Sequence, residues 1–257
     1  MLKRVQQAFR THLLPRRHTA LLVAIVVLLA VRPLIGDGGI AQIVFSLSIL
    51  SMLLIALYTV QIDEVERERE MPPSQRRRWS RLGWVLAVPA IVERIALIYD
   101  PTPRLLLIGS ISWLIFFAFV TWMELRSVLK QREITSETIS MSISVYLLFA
   151  LTWGILYSTI YQLQPNAFSI TAIPVGELFA TFSYFSLTTI STIGFGDIYP
   201  QTLQSRYAAV AEGITGQFYL AILVARLVGM QMTQSSDLHT DGPPRSPEPE
   251  LSSHRDR

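Results

Sequence analysis

Residues 188–200 read Thr-Thr-Ile-Ser-Thr-Ile-Gly-Phe-Gly-Asp-Ile-Tyr-Pro, and Gly194 and Gly196 alternate there with Ile193 and Phe195. Glycine reaches backbone angles that other residues avoid, so an alternating segment can turn successive carbonyls toward one side. Ile193 and Phe195 then face the other way as apolar supports. Upstream, Pro174 to Thr189 is apolar and aromatic but only about 15 residues long, too short to cross a bilayer and suited to a re-entrant helix. Pro174 fits a first helical turn, and Glu177 favours the positive end of the helix dipole. Downstream, Leu203 to Met230 is long and apolar. Non-helical backbone at membrane depth is tolerated only where protein buries it or where it lines a watery cavity.

The rest of the chain has the same membrane character. It is 51% hydrophobic and 16% charged, where a soluble domain carries about 25% charged residues. Charges fall in short blocks between apolar runs of roughly 17 to 25 residues, the length of a spanning helix. The expected fold is therefore all-α, with transmembrane helices at Ala20–Ile35, Ile40–Gln61, Leu82–Tyr99, Leu105–Leu125, Met141–Leu163 and Leu203–Met230. The start of the chain reads as an uncleaved first span, since no Ala-x-Ala site follows its apolar run. The organisation expected is an N-terminal segment 1–19, a four-helix region 20–125, a linker 126–140, a two-helix unit 141–231 that holds the short helix and its loop, and a polar, proline-rich tail 232–257. The tail's composition predicts disorder.

Basic residues set the orientation. Lys3, Arg4, Arg10, Arg16 and Arg17 lie before the first helix, and Arg67, Arg69, Arg76, Arg77, Arg78 and Arg81 between the second and third. Arg126, Lys130 and Arg132 follow the fourth. The other side holds only Arg32, Arg94, Arg104 and Arg206. The positive-inside rule then places both termini in the cytoplasm. The same positions explain the basic balance without nucleic acid, because no basic patch interleaved with aromatics stands in a soluble domain. Arg76, Arg77 and Arg78 beside Trp79 read as an interface anchor and a candidate contact for anionic lipid. The chain has no cysteine, which excludes disulfides and thiolate metal sites. No nucleophile–base pair, metal cluster or phosphate loop is visible, so neither an enzyme nor a cofactor is expected.

A ring of 188–200 segments would stack carbonyl oxygens that replace the water shell of a monovalent cation. The Thr192 hydroxyl adds a layer at the inner end, and Asp197 at the outer mouth raises the local cation concentration. The C-terminal end of the short helix, at Thr188 and Thr189, points about half a negative charge toward the axis. The string Thr192, Ile193, Gly194, Phe195, Gly196, Asp197 resembles the signature of the potassium-channel family, whose known device is this carbonyl filter. Tyr199 and Pro200 resemble that family too, and the likeness extends over Val175 to Met230. The six-segment plan resembles voltage-gated members.

That resemblance implies a homotetramer in the lipid bilayer, with potassium as the transported ion, bound at Thr192, Ile193, Gly194 and Phe195. It implies that Tyr184, Phe185, Thr188 and Thr189 on the pore helix support the filter. Phe195 stands where tyrosine is commoner, which removes a hydroxyl and leaves packing to hold the cuff. Thr188 stands where some members carry a glutamate, so no carboxylate pair with Asp197 forms. Gly213 and Gly216 are candidate hinges of the inner helix, with close helix packing as the alternative. Glu212 is an acid inside a span, a functional candidate or a bond to the back of the pore helix. Glu93 and Arg94 read as a packed or interfacial pair, and Arg226 as a side chain that snorkels to headgroups.

The fourth segment has no basic residue between Arg104 and Arg126, so steep voltage gating is not expected. The function expected is passive, potassium-selective conduction. The alternatives are a non-selective cation channel, or a non-conducting regulatory or scaffold subunit. A compact chain of this kind points to a bacterial inner membrane.

Overall fold

The computed structural model describes residues 17–36, 39–68, 85, 88, 103–131, 134–170 and 172–240. Helices α1 (Arg17–Ile35), α2 (Gly39–Glu68), α3 (Pro103–Lys130) and α4 (Ser136–Leu163) come first. A 3₁₀ turn at Val175–Glu177 leads into the short helix α5 (Leu178–Ile190), and α6 (Leu203–Thr240) closes the order. Among the described residues there is no strand, only one antiparallel bridge between Phe168 and Pro200.

Among the described residues, three helical stretches are long and apolar enough to cross a membrane: Leu105–Lys130, Ser136–Leu163 and Leu203–Met232. Arg17–Val31 and Val44–Thr59 are shorter apolar helical stretches. Of the expected span Leu82–Tyr99 only Val85 and Val88 are described, both helical. Glu93, Arg94 and the Arg76, Arg77, Arg78 run lie outside the described residues. The expected linker 126–140 is largely helix, because α3 continues to Lys130 and α4 begins at Ser136. The α4 start is fixed by a reciprocal cap, in which the Thr135 side chain accepts from the Thr138 backbone and the Thr138 side chain from that of Thr135. The last helix also outruns its expected end. Between Met230 and Gly242 no glycine or proline interrupts the sequence, so α6 runs to Thr240 through the first residues assigned to the tail.

Two main cores form. The front one joins α1 to α4 through Leu21, Ile25, Met52, Leu53, Phe116 and Leu148. The rear one joins α4, α5 and the loop between them through Tyr157, Tyr161, Phe168, Phe182 and Phe185. Helix α3 packs on α4, as α4 packs on α5, so α4 is shared by both cores.

Polar contacts tie the starts of α1 and α4 to the end of α3. The His18 backbone N–H, in the first turn of α1, donates to Glu137 Oε2 at 3.1 Å. First-turn N–H groups have no partner within their own helix, and Glu137 supplies one. Thr19 Oγ1 donates to the other Glu137 oxygen at 2.5 Å, while His18 Nδ1 pairs with Glu124 Oε2 at 3.2 Å. Glu137→Ala removes both acceptors. It is expected to lower stability by about 1–3 kcal/mol, the cost of leaving polar groups unpaired, read as a lower melting temperature of the purified protein.

Candidate pore site

The short helix α5 is held from behind by close approach and hydrogen bonding. A Cβ on Gly154 of α4 would stand 2.9 Å from Ser183 Cα, so only glycine lets the two backbones meet there. Ser186 Oγ lies 2.6 Å from Ala150 O and also donates to Glu212 Oε1. Tyr157 OH donates to Glu212 Oε2 at 2.6 Å. Glu212 is fully buried, at 0% exposure. One carboxylate thereby joins the outer helix α4, the short helix α5 and the inner helix α6. Of the two readings of Glu212 from sequence, the structure has the bond to the back of the short helix.

The loop after α5 begins by using that helix's free carbonyls. Thr192 N–H donates to Thr189 O at 3.0 Å and Gly194 N–H to Thr188 O at 3.1 Å. Thr192, Gly194 and Gly196 have φ of +61°, +55° and +78°, while Ile193 and Phe195 between them keep negative φ. This alternation is the backbone pattern that brings successive carbonyls to one side. Nothing stands within 4 Å of a Cβ built on Gly194 or Gly196, so their angles, not crowding, call for glycine. Thr192 is β-branched in the left-handed region, a conformation that costs on the order of 1–3 kcal/mol and persists only where its surroundings impose it. The sequence gives no sign of this strain.

Of the expected support residues, Tyr184 reaches the loop. Its ring stacks on Phe195 with centroids 6.4 Å apart and planes 6° from parallel. Its hydroxyl donates to Asp197 Oδ2 at 2.9 Å. Phe185 turns away into the rear core, 5.0 Å from Tyr157 and 5.5 Å from Phe168 by ring centroids. The hydroxyls of Thr188 and Thr189 both bond back to Phe185 O, at 2.9 and 2.8 Å. Past the loop, the chain is stitched to the α4–α5 connection. Ser169 N–H donates to Tyr199 O at 3.0 Å and Gln201 N–H to Ala167 O at 2.8 Å. Ser205 Oγ lies 2.7 Å from Ala167 O.

The two candidate hinge glycines separate. A Cβ on Gly216 would meet Ile190 Cγ1 at 2.5 Å and Ile190 O at 3.0 Å, so α6 presses directly on the end of α5. Tyr146 OH of α4 donates to that same Ile190 carbonyl at 3.0 Å. Gly213 would meet nothing within 4 Å. Arg226, expected to snorkel, instead donates to Gln131 O at the end of α3 at 2.6 Å. That carbonyl lies just beyond the last turn of α3, where a cation is favourable.

Residues 145–232 match the family described as "Ion channel". The match supports an ion channel. It runs from Val145 in α4 through α5, the 188–200 loop and α6, about a third of the chain, and leaves α1–α3 outside. No curated protein and no solved structure matches the chain. With the long apolar helices, the match supports an integral membrane protein with an ion-channel region.

The carboxylate behind the 188–200 loop carries a direct test. Glu212→Ala leaves the buried Tyr157 hydroxyl without its acceptor, at a cost of about 1–3 kcal/mol, while Ser186 keeps Ala150 O. Thermal melting of the purified protein is expected to show a clear loss for Glu212→Ala. Glu212→Gln, which keeps an acceptor and the volume, should lose less.

Proposed function

We propose that four copies of this chain assemble around an axis as a potassium-selective channel, with one 188–200 loop from each lining the path. The observation that carries this reading is the alternating left-handed backbone at Thr192, Gly194 and Gly196. It follows a short helix and precedes the long apolar α6. Carbonyls from Thr192 to Gly196 would take the place of the ion's hydration shell, and Asp197 would stand at the outer mouth. The chain contains one such loop, so enclosing an ion requires further copies. Ile193 and Phe195 are 60% and 69% exposed in a single subunit, as are Leu203, Tyr207, Val210, Ile214 and Phe218 along α6 to similar degrees. An apolar surface of this kind fits burial against neighbouring subunits. Both termini lie in the cytoplasm, by the distribution of basic residues. Conduction is passive, and its opening does not depend steeply on voltage.

Phe195 favours a second reading, a less selective cation channel. Its ring offers no hydroxyl, and the Tyr184 hydroxyl that could have met one is bonded to Asp197. Reversal potentials in mixed potassium and sodium separate the two. A strong bias toward the potassium equilibrium potential is expected, and equal permeability would sink selectivity.

Gly194→Ala tests conduction itself. A Cβ at φ +55° is strained although space is free, so the backbone is expected to leave the conducting form. Potassium flux from liposomes should fall at least tenfold. Unchanged flux would point instead to a non-conducting regulatory or scaffold subunit.

A further inference from the structure

Helices α3 and α6 both pack on α4, but not appreciably on each other, and the space between them is a groove of about 360 Å³. That volume lies in the range of small-molecule sites. Its walls are Leu114, Ala118 and Trp122 of α3 and Thr215 of α6, and its floor includes Phe149 and Trp153 of α4. All lie inside the three stretches that qualify as membrane spans.

The groove offers almost nothing to a polar ligand. Thr121 Oγ1 donates to Phe117 O at 2.7 Å and lies 3.1 Å from Thr152 Oγ1, which in turn bonds Leu148 O at 2.7 Å. Thr215 Oγ1 bonds Ala211 O at 2.8 Å. With these hydroxyls satisfied, the surface left is apolar apart from the indole N–H groups of Trp122 and Trp153, and the surrounding medium at this depth is acyl chain. The end of the groove near the α3 terminus is different. Trp122 is 58% exposed, and Arg126 follows one turn later on the same flank of α3. The Arg126 side chain has no hydrogen bond or ion pair among the described residues, and it is half-buried. An interfacial tryptophan followed by a free cation is the arrangement that meets a headgroup phosphate.

We propose that this groove binds an acyl chain of an anionic phospholipid of the cytoplasmic leaflet, with the phosphate at Arg126. The proposal rests on the membrane orientation given under Proposed function, not on potassium selectivity. The lipid would fill the gap between α3 and α6 and so join the front helices to the inner helix through an exchangeable part.

Native mass spectrometry of the full-length protein, given equal amounts of phosphatidylglycerol and phosphatidylcholine with identical chains, tests it. The wild type is expected to retain phosphatidylglycerol about fivefold over phosphatidylcholine, the contribution of one basic residue near an anionic headgroup. Arg126→Gln should abolish that preference without loss of fold. Ala118→Phe should fill the groove and reduce retention of both lipids. An unchanged preference in Arg126→Gln would overturn the proposal, whatever Ala118→Phe does to folding. So would a disulfide between subunits through Leu156→Cys, which would place a second copy of the chain in the groove. Potassium flux is measured separately on the wild type: its absence would remove the channel reading and leave the lipid result standing.

Discussion

The arrangement around the 188–200 loop depends on one buried carboxylate. Glu212 projects from the inner helix into a space where Tyr157 of α4 and Ser186 of α5 each donate to one of its oxygens. An acid at this depth costs several kcal/mol if left alone. A leucine would fill the space more cheaply, and replacing buried ionic groups with apolar ones is often neutral or stabilising. What the leucine lacks is direction. Two hydrogen bonds from two different helices fix the rotation of α6 about its axis and its height against α5. Gly216, one turn further on, can then press against Ile190 without a side chain between them.

That register matters because the loop itself is under strain. Three of its residues hold positive φ, and one of them is a threonine. Such angles persist only where several contacts impose them together. The end of α5 supplies the first, by accepting the N–H groups of Thr192 and Gly194. Tyr184 supplies the second, by stacking on Phe195 and bonding Asp197. The stitch between Ala167–Ser169 and Tyr199–Gln201 supplies the third. Each contact lies on the protein side of the loop. The other side is bare, with the Ile193 side chain and the Phe195 ring exposed.

Much of this was legible in the sequence, and the reasons differ by residue. The short helix announced itself by length and by Pro174, and the loop by its alternating glycines, because both signals are local. Glu212 was legible as an anomaly, since an acid in an apolar run needs a partner, but its partners lie 55 and 26 positions upstream, separations that no spacing rule reaches. Phe185 and Tyr184 are adjacent on a helix and so point about 100° apart; sequence placed both at the loop, and only one can face it. Gly154 carries no signal at all until Ser183 is seen against it. Arg226 looked like a headgroup anchor because helix ends usually meet lipid, whereas here the end of α3 lies within its reach. Helix ends were missed for a simpler reason: polar residues without glycine or proline continue a helix as readily as they leave one.

Among the described residues, the front helices α1–α3 pack as a brace against α4. Between Arg104 and Arg126 the sole ionisable side chain of α3 is Glu124, and it is 1% exposed and paired with His18. A field of 100 mV supplies about 2.3 kcal/mol for each charge carried fully across the membrane. To move Glu124 it would have to part that buried pair and slide Phe116, Phe117 and Val120 out of the front core. Breaking a buried pair alone costs on the order of 3–5 kcal/mol. The voltage term is smaller than that cost, and the apolar face of α3 packs it against the front core. Held there, it fixes α4 from the front while Glu212 and Gly216 grip α4 and α5 from behind. The loop at the end of α5 is positioned by both.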